Sequence, residues 1–503
     1  MPGAARAQPR PPSRDTLTIG LDIADTSTFD PARIASYTTP LTLAACYDTL
    51  VTMAPGHYDA VVPSLASRWE RLPNAAWRFT LDAAATFATG AKLTPDDCRY
   101  SLNRARAAAD GAGQFVTNIA AITVSGPASV DIELHRPDEA FLSTLASPQF
   151  AILERAVLEA QGANATEWLN GHSAGSGAYT LAGWSRRQSI QLVANPHPWR
   201  DPAGYRRVTI ANMPYPAAQL RAIQRGDIDV AFNLIPEQIA TLQSDRAIRI
   251  ENVRSLDFVY LALTANPVLS KPLSTLAVRQ ALAAAIDYDD LLGRLLGGSA
   301  TRPAHFLPVG VPGSTEAIAA QVGYHQDLDR ARALLRTAGY ADGLEIRLSY
   351  ADDAIAGITY HALARKLQTD LGRVGVKLVL DMKNPANLRA DYLAGKLQAV
   401  LAFWHPPVIE NRVWAEGAVD RVGKRLGWTA PNAIPPLIND AAAATDPARA
   451  AALWSDFQSA MVEQATLVPL FQPTYQGAIR ASVAKFPLTA AGWMADLAAA
   501  KPA

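Results

Sequence analysis

Cysteine is nearly absent from this chain, which carries only Cys46 and Cys98 among its 503 residues. So few cysteines exclude a disulfide-rich scaffold, and without a C-x-x-C pair they give no sign of a thiolate metal site. Both cysteines lie in apolar, helix-like surroundings. The sequence leaves two interpretations open, a disulfide in an exported protein or two buried free thiols.

Long apolar runs and an excess of charge are also missing. No uninterrupted apolar run reaches the roughly 18 residues that a membrane-spanning helix requires. Lys+Arg and Asp+Glu number 46 each, so the chain lacks the basic surface of a nucleic-acid-binding protein, and we expect no nucleic-acid partner. With 49% hydrophobic residues the chain is typical of globular proteins, and its length predicts two or three domains.

The chain has few residues in patterns that hold a metal or a cofactor. Its eight histidines are scattered and form no H-x-x-x-H pair; they are His57, His135, His172, His197, His305, His325, His361 and His405. Gly111-Ala112-Gly113 is followed by Gln-Phe-Val and is not a dinucleotide fingerprint. We therefore predict no resident metal and no cofactor.

The N-terminus contains a short sequence like the end of a signal peptide. Ala5-Arg6-Ala7, followed by Gln8, fits a signal-peptidase site, although the charged and apolar regions that should precede it are missing. It is either the remnant of an export signal or an alanine-rich tail. The proline-rich residues that follow complete a leader, residues 1–14, that we expect to be disordered.

The stretch 256–296 combines an apolar strand with a pair of helices. The strand is predicted at 258–263, the first helix carries a buried stripe at Val278, Leu282 and Ile286, and Asp287 caps the second. Such a stretch fits the point where one lobe passes the chain to another. The pattern alone favours an ordinary βαα piece inside one domain.

Other segments give clear helix signals. Thr94-Pro95 with Asp97 predicts a capping box, and Asp446-Pro447 predicts the start of a helix over 448–464. Residues 42–51 look like a helix whose buried face includes Tyr47. Strands alternate with these helices, which predicts an α/β protein with mixed sheets.

Several short motifs occur in an order that resembles one known family. They are Pro63-Ser64-Leu65-Ala66 with Trp69, Trp77-Arg78-Phe79 with Phe87 and Gly90, Leu93-Thr94-Pro95-Asp96-Asp97 with Ser101 and Arg104, Gly175-Ser176-Gly177-Ala178-Tyr179 with Asn195-Pro196 and Trp199, Gly226-Asp227-Ile228-Asp229, Asn266, Val278-Arg279-Gln280-Ala281-Leu282 with Ala285-Ile286-Asp287, and Ala331 with Leu334-Leu335 and Ala338-Gly339-Tyr340. Over about residues 17–475 the chain resembles the family 5 extracellular solute-binding proteins, the peptide and nickel receptors of bacterial ABC importers.

The resemblance implies a two-lobed periplasmic binding protein fold of the large, type II-like class, with an extra inserted domain. Mapped onto this chain, lobe I holds residues 15–48, 174–262 and 470–503. The inserted small domain holds residues 49–173, and lobe II holds residues 263–469. The resemblance also favours the export-signal interpretation of the N-terminus.

The function that the resemblance implies is capture of a small solute between the lobes and its delivery to a membrane permease. We expect a periplasmic monomer whose partners are a small-molecule ligand and the transmembrane subunits of an ABC permease. Peptides, peptide-like solutes, opines and other small organic molecules are all compatible ligands. A hinged pair of lobes suits this task, because closure buries the ligand and changes the receptor's shape.

The resemblance also indicates where the ligand would bind. In peptide receptors of this family an aspartate after a tryptophan-containing strand end meets the ligand's ammonium, but residues 402–412 contain none, and Glu410 is the only acid there. This departure opens the site to aromatic, sugar-like or anionic ligands. The candidate contacts are Phe403, Trp404, His405 and Arg412 in lobe II, Ser36 and Tyr37 in a loop of lobe I, and Phe115 in the insert. Packed aromatic residues and a solvated arginine are the alternative interpretation.

Two further interpretations concern metal and catalysis. His405 could contact a chelated metal of the kind that nickel receptors of the family take. Gly171-His172-Ser173-Ala174-Gly175 matches the nucleophile elbow of a secreted hydrolase, but polar residues precede it and a predicted strand follows it, the reverse of what an elbow needs. We predict that the protein is not an enzyme. The alternatives are a secreted hydrolase and a peptide-holding sensor or chaperone on the same fold.

Overall fold

The structure is a computed structural model. It describes residues 15–34, 36–54, 60–109, 111–138, 141–355, 357–405, 408–490 and 494–503. The predicted leader, residues 1–14, lies outside the described residues.

The strands are, in chain order, β1 (Thr16–Leu21), β2 (Val51–Met53), β3 (Val61–Pro63), β4 (Ala66–Leu72), β5 (Ala76–Leu81), β6 (Ile119–Gly126), β7 (Ser129–Leu134), β8 (Tyr179–Ser185), β9 (Ser189–Ala194), β10 (Arg207–Asn212), β11 (Val230–Ala231), β12 (Ile248–Arg254), β13 (Phe258–Leu263), β14 (Ala300–Thr301), β15 (Leu344–Ala351), β16 (Ala354–Ile355), β17 (Ile358–Thr359), β18 (Val376–Lys383), β19 (Ala399–Trp404), β20 (Leu467–Arg480), β21 (Val483–Lys485) and β22 (Lys501–Pro502).

The α-helices are α1 (Thr39–Cys46), α2 (Pro95–Ala107), α3 (Phe141–Leu145), α4 (Arg155–Gln161), α5 (Ala165–Trp168), α6 (Pro216–Arg225), α7 (Pro236–Leu242), α8 (Lys271–Ser274), α9 (Leu276–Ala285), α10 (Tyr288–Asp290), α11 (Glu316–Val322), α12 (Leu328–Thr337), α13 (Tyr360–Gly372), α14 (Pro385–Leu393), α15 (Asn411–Glu416), α16 (Gly423–Arg425), α17 (Ile434–Ala443) and α18 (Pro447–Gln464). Short 3₁₀ turns occur at Pro31–Arg33, Ala112–Phe115, Pro148–Phe150 and Gly162–Asn164, and π-helical turns at Leu291–Leu295 and Gly417–Val422. Within the described residues, no helix is both long enough and apolar enough to span a membrane.

Most of the strands form one twelve-stranded mixed sheet in the order β18-β15-β19-β13-β20-β11-β1-β10-β9-β8, with β12 and β14 also pairing with β20. We call the half around β1, β8–β12 lobe I and the half around β13, β15, β18 and β19 lobe II. A separate antiparallel sheet, β4-β5-β7-β6, forms the insert. The core of the insert is continuous with the α15–α18 side of lobe II.

Strand β20 joins the two lobes. Its second half pairs with β12 in lobe I and its first half pairs with β13 in lobe II. Between these halves, the backbone N–H and hydroxyl of Ser255 both donate to the carbonyl of Pro473. The chain therefore crosses from lobe I to lobe II just before β13, at the head of the stretch 256–296. The domain boundaries derived from the resemblance remain a prediction, and strand pairing groups β13 with lobe II.

Local helix signals behave as their chemistry predicts. Thr94 and Asp97 form the expected capping box of α2, Asp287 caps α10, and Asp446 caps α18. The predicted helix over 42–51 is wrong in its second half, because α1 ends at Cys46 and β2 begins at residue 51. The helix stops before Asp48, whose carboxylate accepts hydrogen bonds from the side chains of Ser176, Trp199 and Arg200.

Both cysteines are free and buried, Cys46 in α1 and Cys98 in α2. Of the two interpretations that the sequence left open, the structure has the buried free thiols. Burial raises the pKa of both thiols, so neither is a reactive nucleophile at neutral pH.

Candidate ligand-binding cleft

The central strand end of lobe II positions three of the predicted site residues. β19 lies antiparallel to β13, with Trp404 opposite Phe258 and Phe403 opposite Val259. Since side chains alternate along a strand, Phe403 and His405 face one side of the sheet and Trp404 faces the other. The rings of Phe403 and His405 lie nearly parallel, with centroids 6.2 Å apart.

A buried carboxylate holds His405. Nδ1 of His405 lies 2.8 Å from Oδ1 of Asp257, the residue that precedes β13. Asp257 is only 1% exposed, and its Oδ2 has no hydrogen-bond partner within the described part of the chain. Burial raises the pKa of Asp257, and His405 opposes this rise. The pair is therefore a polar group with one acceptor still unused.

Tyr37 brings lobe I onto this pair. Its ring centroid lies 4.8 Å from that of His405 and 5.5 Å from that of Phe403, both in edge-on geometry. The backbone N–H of Tyr37 donates to Asp25 at 2.6 Å, which fixes the loop before α1. Burial raises the pKa of the Tyr37 phenol well above its usual value, and the charges of Asp257 and Asp25 add to this rise. Three predicted residues thus meet where the lobes touch.

Ser36 lies beside Tyr37, but its hydroxyl already has a hydrogen-bond partner. Its hydroxyl donates to Thr39 at the start of α1. The structure therefore places Ser36 at the edge of the cleft, with its hydroxyl directed into its own loop.

Trp404 and Phe115 meet through a residue that the sequence did not reveal. The guanidinium of Arg421 lies 5.7 Å from the Trp404 ring centroid and 5.2 Å from that of Phe115. Nη1 of Arg421 donates to Oε1 of Gln114 at 2.9 Å, so Arg421 links lobe II to the insert. Among the described residues no carboxylate lies within ion-pair distance of Arg421. Burial lowers its pKa, with Arg425 contributing.

Arg412, a predicted ligand contact, already has a partner on its own helix. Its Nε donates to Glu416 at 2.8 Å, and its side chain is only 8% exposed. Glu410 is occupied too, because it caps α15 by accepting from the backbone N–H groups of Arg412 and Val413. Both residues follow a turn whose direction the sequence did not specify; residues 406–407 lie outside the described residues.

The two lobes also touch at the tip of a hairpin. A Cβ built on Gly357, between β16 and β17, would lie 2.8 Å from the Cα of Ile235 in lobe I. Gly297 approaches Pro236 in the same region. The lobes therefore touch at the hairpin as well as at Tyr37.

A cavity of about 360 Å³ lies elsewhere, at the edge of the lobe II sheet. Both of its carboxylates are engaged, since Lys383 lies 3.1 Å from Asp391 and 3.7 Å from Asp381. Because all of its lining residues belong to lobe II and none comes from lobe I, we do not place the ligand there.

Ser173 does not stand on a nucleophile elbow. It lies in the turn between α5 and β8, where its hydroxyl accepts from the backbone N–H of Leu181 at 3.2 Å. His172 stacks on Trp168, with centroids 4.5 Å apart. The strand before the serine and the helix after it, which an elbow requires, are replaced by a helix and a strand.

Sequence reasoning missed Asp257 and Arg421 for different reasons. Asp257 is a lone acid at the head of an apolar strand, and that isolation was a usable signal. No signal in the sequence pointed to Arg421, because its partner Gln114 is 307 residues away.

Comparison with known proteins agrees with this architecture. The family model of the bacterial extracellular solute-binding proteins, family 5 (middle region), matches residues 60–412. The chain belongs to this family. The resemblance read from the sequence is confirmed, and so is the two-lobed α/β fold.

Individual relatives cover nearly the whole solute-binding protein. The probable D,D-dipeptide-binding periplasmic protein of Escherichia coli (strain K12) is 26% identical over 483 residues, covering 94% of this chain and 91% of that protein. The dipeptide-binding protein from Pseudoalteromonas sp. SM9913 in complex with Met-Leu has a TM-score of 0.85 at 21% identity, covering 97% and 100% of the two chains. NikA from Brucella suis in complex with Fe(III)-EDTA has a TM-score of 0.82 at 21% identity, with the same coverage. The family 5 protein described here is thus a substrate-binding protein of an ABC importer that captures a small solute.

Proposed function

We infer that this solute-binding protein works in the periplasm, as a monomer, and passes its ligand to the transmembrane subunits of an ABC permease. The full-length similarity to a periplasmic relative supports this location. The observation that carries the proposal is the position of Tyr37, whose ring from lobe I packs on His405 and Phe403 of lobe II. A ligand that binds beside these rings would meet residues of both lobes.

The ligand contacts that we propose form two groups. Tyr37, Phe403 and His405 supply aromatic faces and a hydrogen-bonding ring on one side of β19. Trp404 and Phe115 supply two aromatic faces on the other side. Arg421 adds a guanidinium that donates to Gln114 and to the carbonyl of Val413 but has no carboxylate partner among the described residues. Ser36 borders the first group. Arg412 stays a predicted contact, and its Nε donates to Glu416 in the ligand-free protein.

The ligand class that we propose is a small peptide or peptide-like solute. Two of the similar proteins support this class: one is named a probable D,D-dipeptide-binding protein, and the other is a dipeptide-binding protein in complex with Met-Leu. Arg421 offers a bidentate partner for a carboxylate in a partly dehydrated setting, where charge-assisted hydrogen bonds are strong. The protein would retain its ligand without chemical change.

Native mass spectrometry of the purified protein tests the proposal. A released small organic mass identifies the ligand directly. After unfolding and refolding, the same compound at ~100 times its dissociation constant should stabilise the protein by roughly 2.7 kcal/mol. Failure of a broad solute library to shift the melting temperature of the refolded protein would argue against the function.

The variant Tyr37→Ala tests the location of the site, with Tyr215→Ala as its matched control. Tyr215 is also in lobe I and is 73% exposed. Tyr37→Ala should weaken binding at least tenfold, whereas Tyr215→Ala should bind as the wild type does. Equal affinities of the two variants would move the site away from Tyr37.

A further inference from the structure

Gln472 is fully buried at the point where β20 passes from one lobe to the other. Its side-chain amide pairs with the backbone of Val309 in both directions: Oε1 accepts from the N–H at 2.7 Å, and Nε2 donates to the carbonyl at 3.0 Å. Nε2 also donates to the carbonyl of Ser255 at 2.6 Å. The chain crosses between the lobes twice, first at Ser255 and again in β20. One side chain therefore joins both crossing segments to a loop of lobe II.

The loop that carries Val309, residues 302–315 between β14 and α11, is hydrogen-bonded to the helices of lobe II. The buried side chain of Gln458 in α18 donates to a carbonyl of the loop at 2.6 Å and accepts from the backbone N–H of His305 at 3.3 Å. Asn411, at the start of α15, donates to another carbonyl of the loop at 2.8 Å. Buried amides with partners on both sides hold their segments in one arrangement. The loop is therefore a fixed part of lobe II.

The attachment of β20 changes from lobe II to lobe I at a single residue. β14 pairs with β20 at Gln472 and Pro473. The backbone N–H of Thr474 donates to the carbonyl of Ser299, just before β14, at 3.1 Å. Pairing with lobe I begins at the same position, because Thr474 lies opposite Arg254 at the end of β12. In the second crossing segment the boundary between the lobes is thus Thr474.

We propose that Gln472 is a positioning residue for closure of the cleft, because it holds both crossing segments on lobe II. The lobes then pivot between Arg254 and Ser255 in the first segment and at Thr474 in the second. This role rests on the solute-binding function proposed above, in which the lobes close over a ligand. Because it is fully buried, Gln472 acts through Ser255 and Val309 rather than by touching the ligand.

A pivot confined to two short segments matters because few contacts define the cleft. Tyr37 of lobe I packs on His405 and Phe403 of lobe II, with ring centroids 4.8 and 5.5 Å apart. If β20 also bent between its lobe II half and Gln472, these rings would meet in several orientations. With Gln472 in place the lobes return to one orientation, so less conformational freedom is lost when a ligand binds.

A distance measurement between the lobes of the ligand-free protein tests this role. Spin labels are attached at Tyr215→Cys in lobe I and Met382→Cys in lobe II, both exposed positions, while Cys46 and Cys98 are buried and stay unlabelled. Double electron–electron resonance then gives the distribution of distances between the lobes. Gln472→Met keeps the length of the side chain and removes its three hydrogen bonds, and it should broaden this distribution roughly twofold.

The matched control is Gln458→Met. Gln458 is equally buried and binds the same loop, but within the described part of the chain its hydrogen bonds reach neither crossing segment. Both variants should lose stability in urea, and only Gln472→Met should broaden the distance distribution. An unchanged distribution in Gln472→Met, or equal broadening in the two variants, would overturn the proposal.

Hydrogen exchange of the wild-type protein decides the question if Gln472→Met does not fold. The N–H of Val309 should exchange as slowly as the core amides of β13, because its bond to Gln472 persists while the lobes move. Exchange of Val309 at the rate of an open loop would overturn the proposal. Neither measurement needs a ligand. A protein that captures no solute would therefore count against the proposed function, while the role of Gln472 would still be decided.

Discussion

Nδ1 of His405 lies 2.8 Å from Oδ1 of Asp257, although 148 residues separate them in the sequence. The bond joins the end of β19 to the head of β13, which are neighbouring antiparallel strands of lobe II. It fixes the imidazole at the point where Tyr37 of lobe I packs on it. The geometry of the cleft therefore depends on a buried polar pair.

Loss of His405 should destabilise the protein. His405→Ala leaves the buried Asp257 carboxylate without its partner, and breaking a buried pair typically costs about 3–5 kcal/mol. Urea denaturation followed by tryptophan fluorescence measures the change in the free energy of unfolding. The double variant His405→Ala/Asp257→Asn should recover part of the loss, because the amide carries no charge. A double variant less stable than His405→Ala would contradict this account.

Stability should fall with rising pH through Glu410. Burial, with the nearby Asp138, raises the pKa of Glu410 from 4.5 to about 8. The folded protein therefore holds this proton more tightly than the unfolded chain does, and the stabilisation present below pH 4.5 is lost as the pH rises toward 8. Relative to Glu410→Gln, the wild type should lose on the order of 3 kcal/mol between pH 5 and pH 8.

The measurement is a series of urea midpoints at half-unit pH steps. Glu345→Gln, an exposed change on β15, is the control and should follow the wild-type curve. Parallel curves for the wild type and Glu410→Gln would show that the side chain titrates normally.

Arg421 should contribute to the affinity for anionic groups of the ligand. Its guanidinium has no carboxylate partner among the described residues, and a hydrogen bond to a charged group is worth about 1.5–3 kcal/mol. Arg421→Ala should therefore weaken binding of the copurified ligand by roughly tenfold or more, as measured by calorimetry. Lys424→Ala, whose side chain pairs with Asp420 on the surface, is the control. If the variant binds with wild-type affinity, the role of Arg421 is only structural, namely the hydrogen bond to Gln114 in the insert.

Gly357 should be required for closure. A Cβ at this position would meet Ile235 at 2.8 Å, and the backbone φ of +78° adds local strain. Gly357→Ala should weaken ligand binding at least tenfold while the fold remains intact, because the added methyl group would push the hairpin of lobe II away from lobe I.

The matched control is Gly339→Ala, which has a φ of +84° in the same lobe but no atom within 4 Å of the new methyl group. It should cost about 1 kcal/mol of stability through backbone strain alone and leave affinity unchanged. Equal effects of the two alanines on binding would show that the hairpin does not close the cleft.

Local chemistry in the sequence was sufficient for the helix starts, because a capping residue and its partner lie within three positions of each other, as Thr94 and Asp97 do. The fold came from an ordered set of motifs, and the comparisons confirm it. The helix over 42–51 failed because Asp48 is held by residues more than 120 positions away.

Within the candidate site, the sequence placed Tyr37, Phe403 and His405, and the structure brings them together. The sequence did not reveal that Arg412 pairs with Glu416, because a neighbour one helical turn away could equally have been solvated. Arg421 and Asp257 acquire their roles only when distant segments meet. Whether these residues contact ligand remains a prediction.

The single strand shared by both lobes has a consequence for the order of folding. β20 follows all the other strands of the twelve-stranded sheet in the chain, yet it lies between β13 and β11 at the centre of that sheet. During synthesis the two halves of the sheet cannot join until β20 has emerged. Because such long-range pairing is slow to form, the nascent chain would stay incompletely folded until late, the condition in which a polypeptide can still be threaded through a narrow translocation channel.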